Sequence, residues 1–351
     1  MKYNQDSRFK LKGNSFNKFD NKAVLQYAVG AVLYMPGIRS SFGEEILAQK
    51  YKSSICLDLE DAIGDDSVGE ALKTIKDNLI MIKEALDNDT ITLDDLPLIF
   101  IRVRTPKHML EVAEYLGSKL LEIITGFNLP KFDGYNAARY VKNFKHIKAS
   151  VKTPLYIMPI LESKLIMDLN TRYNELETLK NILSTVSNDV LNIRVGATDF
   201  CNLYAIRRTI NQTIYDIRVV SDCFADIINV FGDKYVCAGP VWEYFSTDSN
   251  QTTWIDGLNR ELELDKVNGF IGKTSIHPVQ IDFINSSYAI SEEDYQDSLS
   301  ILGMNSRLSG VEKGCNNNKM NEVKTHINWA RKISVLASIY GVKKGREWFI
   351  K

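Results

Sequence analysis

Short apolar runs recur along this chain, and each is followed by a more polar stretch with helical spacing. The runs are "AVLYMPG" (Ala31–Gly37), "SICLDLED" (Ser54–Asp61), "LIFIRVRTP" (Leu98–Pro106), "EIITGFNLPK" (Glu122–Lys131), "PLYIMPILE" (Pro154–Glu162), "LNIRVGATD" (Leu191–Asp199), "KYVCAGP" (Lys234–Pro240) and "GFIGKTSIHP" (Gly269–Pro278). Between them, Glu70–Leu86 and His108–Leu120 carry apolar residues at helical intervals, whereas Asn88–Pro97 is a polar connection. Strands that alternate with helices predict βαβ units and a parallel sheet covered on both faces. Eight runs over about 250 residues match a (β/α)8 TIM barrel. An open doubly wound sheet is the competing α/β arrangement, weakened because no GxGxxG turn follows the first strand.

After Pro278 the pattern changes. Val279–Leu302 reads as helical, Leu308–Glu322 as a polar loop with three consecutive Asn, and Val323–Val342 as a helix closed by Gly341. The predicted organisation is a polar N-terminal arm (1–22), a barrel domain (23–290) and a C-terminal helical extension (291–351). The arm has no apolar h-region and reads as a loosely docked segment rather than a targeting signal.

In a barrel, chemistry collects at the C-terminal ends of the strands. Those ends hold Asp58, Glu60 and Asp61 (second strand), Arg102 and Arg104 (third), Lys131 (fourth), Glu162 (fifth), Asp199 (sixth), and Lys273 and His277 (eighth). Charge at the end of an apolar strand is costly unless solvated, paired or neutralised by a cation. Glu162 and Asp199 end adjacent strands, and two such carboxylates suffice for Mg²⁺, which completes its octahedron with water and substrate oxygens. Arg102 and Arg104 alternate with Ile101 and Val103. Either can clamp a substrate carboxylate or form an ion pair with Asp58, Glu60 or Asp61. His277 has two readings, an acid/base group or a helix cap.

Charge narrows the partners. With 43 Lys+Arg against 44 Asp+Glu, the near balance argues against a nucleic-acid surface. No apolar run is long enough to span a membrane. The five cysteines include no CxxC pair and lie mostly in apolar runs, which predicts free thiols in a reducing, cytoplasmic compartment. The four histidines are too scattered for a zinc cluster.

Six segments, "LYMPG…LDLEDAI", "IRVR", "NLPK", "MPILES", "VGATDF" and "GKTSIHPVQI", occur in this order between about Val32 and Asn285. Together they resemble the HpcH/HpaI aldolase and citrate lyase beta-subunit family, in a divergent branch similar to the C–C bond lyases of stress-response and tellurite-resistance operons. The resemblance implies a TIM barrel that binds Mg²⁺ through Glu162 and Asp199 and makes or breaks a C–C bond beside a carbonyl. It implies that Arg102 binds the substrate carboxylate or carbonyl. Asp58 and Lys131 join Arg102 as catalytic candidates, and Glu322 stands near the position of the family's C-terminal base. Arg104, Glu60, Asp61, Lys273 and His277 become candidates for substrate binding. "IRVR" departs from the family's "VRIN", so Arg104 implies an additional substrate charge or an internal ion pair. The expected partners are a small carboxylate or acyl-CoA substrate and further copies of the chain, as a trimer or hexamer. Two other readings stay open: a phosphoenolpyruvate- or pyruvate-handling barrel enzyme, and a catalytically weak binding or assembly subunit.

Overall fold

The structure, a computed structural model, describes residues 1–304 and 310–344. They form two compact units, one of Met1 and 17–284, the other of 2–16 and the described residues from 285 to 344.

The first unit is the barrel. Its strands, numbered in words from the first, are Ala31–Pro36, Ser54–Asp58, Ile99–Arg102, Gly126–Leu129, Tyr156–Leu161, Ile193–Val195, Cys237–Ala238 and Lys273–Ser275. Neighbours in sequence are neighbours in the sheet through the seventh strand, and the eighth lies beside the first. A parallel bridge between Gly239 and Lys273 joins the seventh to the eighth. Each of the eight apolar runs therefore supplies one barrel strand. The second, fifth and sixth strands are buried along their whole length, as a sheet with both faces covered requires.

The covering helices follow the expected periodicity. Helix Val68–Asp87 buries Ala71, Ile75, Leu79 and Ile82 on one stripe. Helix Pro106–Leu116 begins at Thr105, whose hydroxyl accepts from the His108 N–H, with Pro106 at the first helical position. It ends earlier than its apolar spacing predicts. Gly117 adopts a positive φ of 73° and breaks the path before the short helix Ser118–Leu121.

In the second unit, helix Val323–Tyr340 is closed by Gly341, at φ 81°. The stretch expected as one helix is divided into Ile281–Ser287 and Glu292–Gly303. Ser291 restarts the helix by accepting from the Asp294 N–H. The expected polar loop contains a hairpin, Val311–Lys313 against Met320–Glu322. Asn317, at φ 56°, lies in its turn, a conformation that Asn tolerates. Within this unit the N-terminal segment has its own contacts. Phe9–Leu11 pairs with Val342–Lys343, and Tyr3 stacks on Tyr340 with ring centroids 5.1 Å apart. Tyr3, Phe9 and Phe16 are buried, so this segment holds apolar anchors that its polar composition obscures. Residues 305–309 and 345–351 of the expected extension lie outside the described residues.

Candidate active site

A cleft of about 390 Å³ opens at the C-terminal ends of the barrel strands. Asp58, Asp61, Arg102, Glu162, Arg194 and Asp199 supply its charged lining.

Strand register accounts for its first cluster. Asp58 and Arg102 are Cα partners in the parallel pairing of the second and third strands, so their side chains leave the sheet together. Arg102 donates from Nε to Asp58 Oδ1 at 2.7 Å and from Nη2 to Oδ2 at 2.6 Å. This is the bidentate fork that suits a guanidinium to a carboxylate. Asp58 also accepts the backbone N–H groups of Glu60 and Ala62, which folds the loop after the strand back over its end. Glu60 Oε2 lies 3.0 Å from Arg102 Nη1, out of line for a hydrogen bond, and its other oxygen is paired with Lys131 Nζ. Asp61 completes the cluster 3.3 Å from Arg102 Nη1 and keeps more than half its side chain exposed.

The second cluster joins the fifth and sixth strands. Glu162 follows the fifth directly, and Asp199 sits in the first turn of helix Ala197–Asn202 after the sixth. Lys131 orients Glu162 by donating its backbone N–H to Oε1 at 2.7 Å, from the unusual φ of 47°. Burial, and after it the charge of Asp199, pushes the Glu162 carboxyl up to about 8. Burial raises the Asp199 carboxyl as well, and both acids line the cleft. Carboxyl groups raised in this way retain a proton unless a cation takes its place. Among the described residues no group of three or more Asp, Glu, His or Cys is gathered as a metal site. An acidic pair with no nitrogen or sulfur donor fits a hard divalent ion that takes its other ligands from water and substrate.

Gly196 makes that pairing possible. A Cβ there would lie 2.1 Å from Glu162 Oε2, so only glycine lets the carboxylate reach its place. Gly196→Ala should displace Glu162 and lower stability by about 1–3 kcal/mol. Thermal melting checks the loss.

A family model described as C–C bond lyase of the TIM-barrel fold matches residues 23–342. The chain belongs to that family of carbon–carbon lyases. Among solved structures, it is similar to a citrate lyase from Burkholderia xenovorans LB400, with 16% identity over 91% of this chain and 94% of the other, at TM-score 0.62. It is similar to CitE from Mycobacterium tuberculosis in complex with magnesium, acetoacetate and coenzyme A, with 15% identity over 89% and 99% of the two chains, at TM-score 0.57. The complex of CitE with magnesium and pyruvate aligns at 16% identity over 76% and 93%, at TM-score 0.51. At these identities the likeness shows the shared fold. No curated protein matches the chain significantly.

Other expected site residues of this lyase occupy different places. Arg104 lies beyond the end of the third strand and pairs with Asp65. Lys273, expected at the substrate, is instead held by two carboxylates, Glu261 Oε1 at 2.9 Å and Asp265 Oδ2 at 2.7 Å, all fully buried and none lining the cleft. The reason is alternation: Lys273 and Thr274 are adjacent on one strand, and Thr274 is the one that lines the cleft. His277 accepts the Val279 N–H at its Nδ1, caps the turn Pro278–Gln280 and stacks on Phe245 at 4.3 Å. That is the helix-cap reading. Burial lowers its pKa, which favours the neutral acceptor. Glu322 belongs to the second unit, where its N–H donates to His326 Nδ1.

One charged cleft residue escaped the sequence reading. Arg194 sits in the middle of the sixth strand and is only 1% exposed. A charged residue within "LNIRVG" was itself the available signal, because an apolar side chain is the usual occupant of a barrel interior.

No helix among the described residues is long and apolar enough to cross a membrane. The five cysteines are free, with Cys56, Cys201, Cys223 and Cys237 buried and Cys315 exposed.

Proposed function

We propose that this chain is a Mg²⁺-dependent carbon–carbon lyase or aldolase acting through an enolate on a 2-oxo acid, a 3-hydroxy acid or its CoA thioester. The Glu162–Asp199 pair, both carboxyls raised by burial, carries this reading, because it lies in the same cleft as Arg102. The magnesium found in CitE with acetoacetate and coenzyme A, and with pyruvate, supports the choice of ion and substrate class. Bound there, Mg²⁺ would polarise a substrate carbonyl as a Lewis acid.

The remaining work falls to the chain's own side chains. Arg102 supplies fixed positive charge where negative charge develops on the substrate. Asp58 holds the guanidinium in plane, and Lys131 positions Glu162 through its backbone while neutralising Glu60. The base that takes the hydroxyl proton must reach into the cleft without a fixed bidentate partner. Asp61 is the acid of the second-strand group that meets this condition, and Glu322 is the alternative carried by the family resemblance. The free thiols support a cytoplasmic setting, and a homo-oligomer is the further expectation of the resemblance.

Mg²⁺ titration as a function of pH tests the metal site. With the Glu162 pKa at about 8, a proton occupies the pair at lower pH and competes with the ion. Mg²⁺ affinity should therefore rise by up to about tenfold per pH unit towards pH 8 and then level off. The same shift makes metal-free protein lose stability as pH rises from the ordinary 4.5 to about 8, because the folded state holds the extra proton. Added Mg²⁺ should oppose that loss. A wild type that binds no Mg²⁺ at any pH would overturn the lyase mechanism and leave the binding-subunit reading.

A further inference from the structure

Tyr34 lines the cleft, and the lyase reading gives it no task. Register explains its place. It is the Cα partner of Cys56, which lies two residues before Asp58 on the second strand, so Tyr34 shares the inward face of Asp58 one step below the rim. Asn128, the Cα partner of Arg102 on the fourth strand, donates from Nδ2 to Tyr34 Oη at 2.7 Å and to Cys56 Sγ at 3.2 Å. The Arg102 guanidinium lies over the Tyr34 ring, with Cζ 5.3 Å from its centroid. Tyr34 thus accepts one hydrogen bond at its oxygen, and its own hydrogen goes to no acceptor among the described residues. A hydroxyl that only accepts from the protein has its donor left for whatever fills the cleft.

Its position suits the carbon of a substrate rather than its oxygens. The first strand is four strands from the fifth in either direction round the barrel, so Tyr34 stands on the wall opposite Glu162. A substrate whose oxygens are drawn to Glu162 and Asp199 turns its carbon end towards the first strand. Few groups lining the cleft can give a proton there. Asp58 is held by Arg102, Glu162 and Asp199 belong to the metal site, and Asp61 is the candidate base. Burial holds the Tyr34 phenol above its ordinary range; Cys56 and Asp58 add to this, while Arg194 and Arg102 oppose it. The phenol is therefore a neutral acid at neutral pH, with the Asn128 N–H and two guanidinium charges beside it to steady a phenolate.

We propose that Tyr34 is the acid that protonates the enolate carbon, from the wall of the barrel opposite the groups that hold the substrate oxygens. This rests on the lyase reading. In the cleavage direction the C–C bond breaks and its electron pair passes into the enolate. The Tyr34 O–H bond then breaks as a C–H bond forms at the enolate carbon, and the phenolate regains a proton from water. The proton that the base took from the substrate hydroxyl leaves to water separately, so charge balances over the cycle. In the reverse direction the Tyr34 phenolate takes a proton from the methyl group of a 2-oxo acid.

Exchange of the pyruvate methyl protons into D₂O, followed by NMR on the full chain with Mg²⁺, reads that reverse step. Tyr34→Phe keeps the ring beneath Arg102 and should slow exchange at least about 100-fold, while calorimetry finds pyruvate affinity within about threefold of wild type. Wild type offers a second reading that needs no variant. At saturating Mg²⁺ its exchange should rise about tenfold per pH unit from about pH 8 to about pH 9.5, because the phenolate is the minor form throughout. A carboxylate such as Asp61 would give a flat profile over that range. Undiminished exchange in Tyr34→Phe, or a flat profile in wild type, would overturn the donor role and leave the lyase reading in place. Equal loss of pyruvate binding and exchange would make the hydroxyl a substrate contact alone and would also overturn the role. A wild type that binds Mg²⁺ and pyruvate but exchanges no methyl proton overturns the donor role without touching the metal site. A wild type that binds neither overturns the lyase reading, and the donor role with it.

Discussion

Asp199→Asn is expected to lose Mg²⁺ binding and to lower lyase turnover by about 1,000-fold. The side chain keeps its size, so the helix after the sixth strand should form as before. What disappears is one of the two carboxylates proposed to hold the ion. A Lewis acid acting on a developing oxyanion supplies several kcal/mol, and about 4 kcal/mol corresponds to that rate factor. The variant should also be informative without substrate. Glu162 then no longer faces a second negative charge, so the part of its raised pKa that comes from Asp199 should vanish, while the larger part due to burial persists. Turnover, metal titration and carboxyl titration followed by NMR check the three effects. Unchanged Mg²⁺ affinity would remove Asp199 from the metal site.

Arg102→Ala should act first on stability. It strips Asp58, which is 1% exposed, of both bonds from the guanidinium and leaves only the backbone N–H groups of Glu60 and Ala62 on the carboxylate, and it removes the cation beside buried Glu60. Leaving a buried charge without its partner costs about 3–5 kcal/mol, a large share of the 5–15 kcal/mol typical of a domain. Denaturant unfolding should show that loss. The double variant Arg102→Met with Asp58→Leu removes both charges and should recover much of the stability, since paired apolar replacements of buried ion pairs are often tolerated. It should not recover turnover, because the positive charge aimed at the reacting centre is still missing. Recovery of both would mean that Arg102 serves the fold alone.

These expectations rest on features that the sequence reveals to different degrees. The eight apolar runs, spaced by helical stretches, pointed to a parallel sheet covered on both faces and favoured a barrel over an open doubly wound sheet by their number, because burial on both faces forces that pattern on each strand. The accumulation of Asp58, Glu60, Asp61, Arg102, Glu162 and Asp199 at strand ends was legible for the same reason: an apolar run that stops at a charge marks where the core ends. Partner choice was not legible. Asp58 meets Arg102 because the two strands pair in that register, and register is a relation between segments far apart in the chain. Gly196 reads as an ordinary turn glycine until the Glu162 carboxylate is seen in the space its Cβ would occupy.

Lys273 and Arg194 mark the boundary most clearly. Both are cations on barrel strands, and alternation along a strand says only that successive side chains point to opposite faces. By itself, the sequence determined the order of strands and helices and the charged ends that crown them. Tertiary structure decided that Lys273 turns outward to Glu261 and Asp265 while Arg194 turns in towards the cleft. The physical reason is closure: which face of a strand is the inside exists only once the first strand has met the eighth.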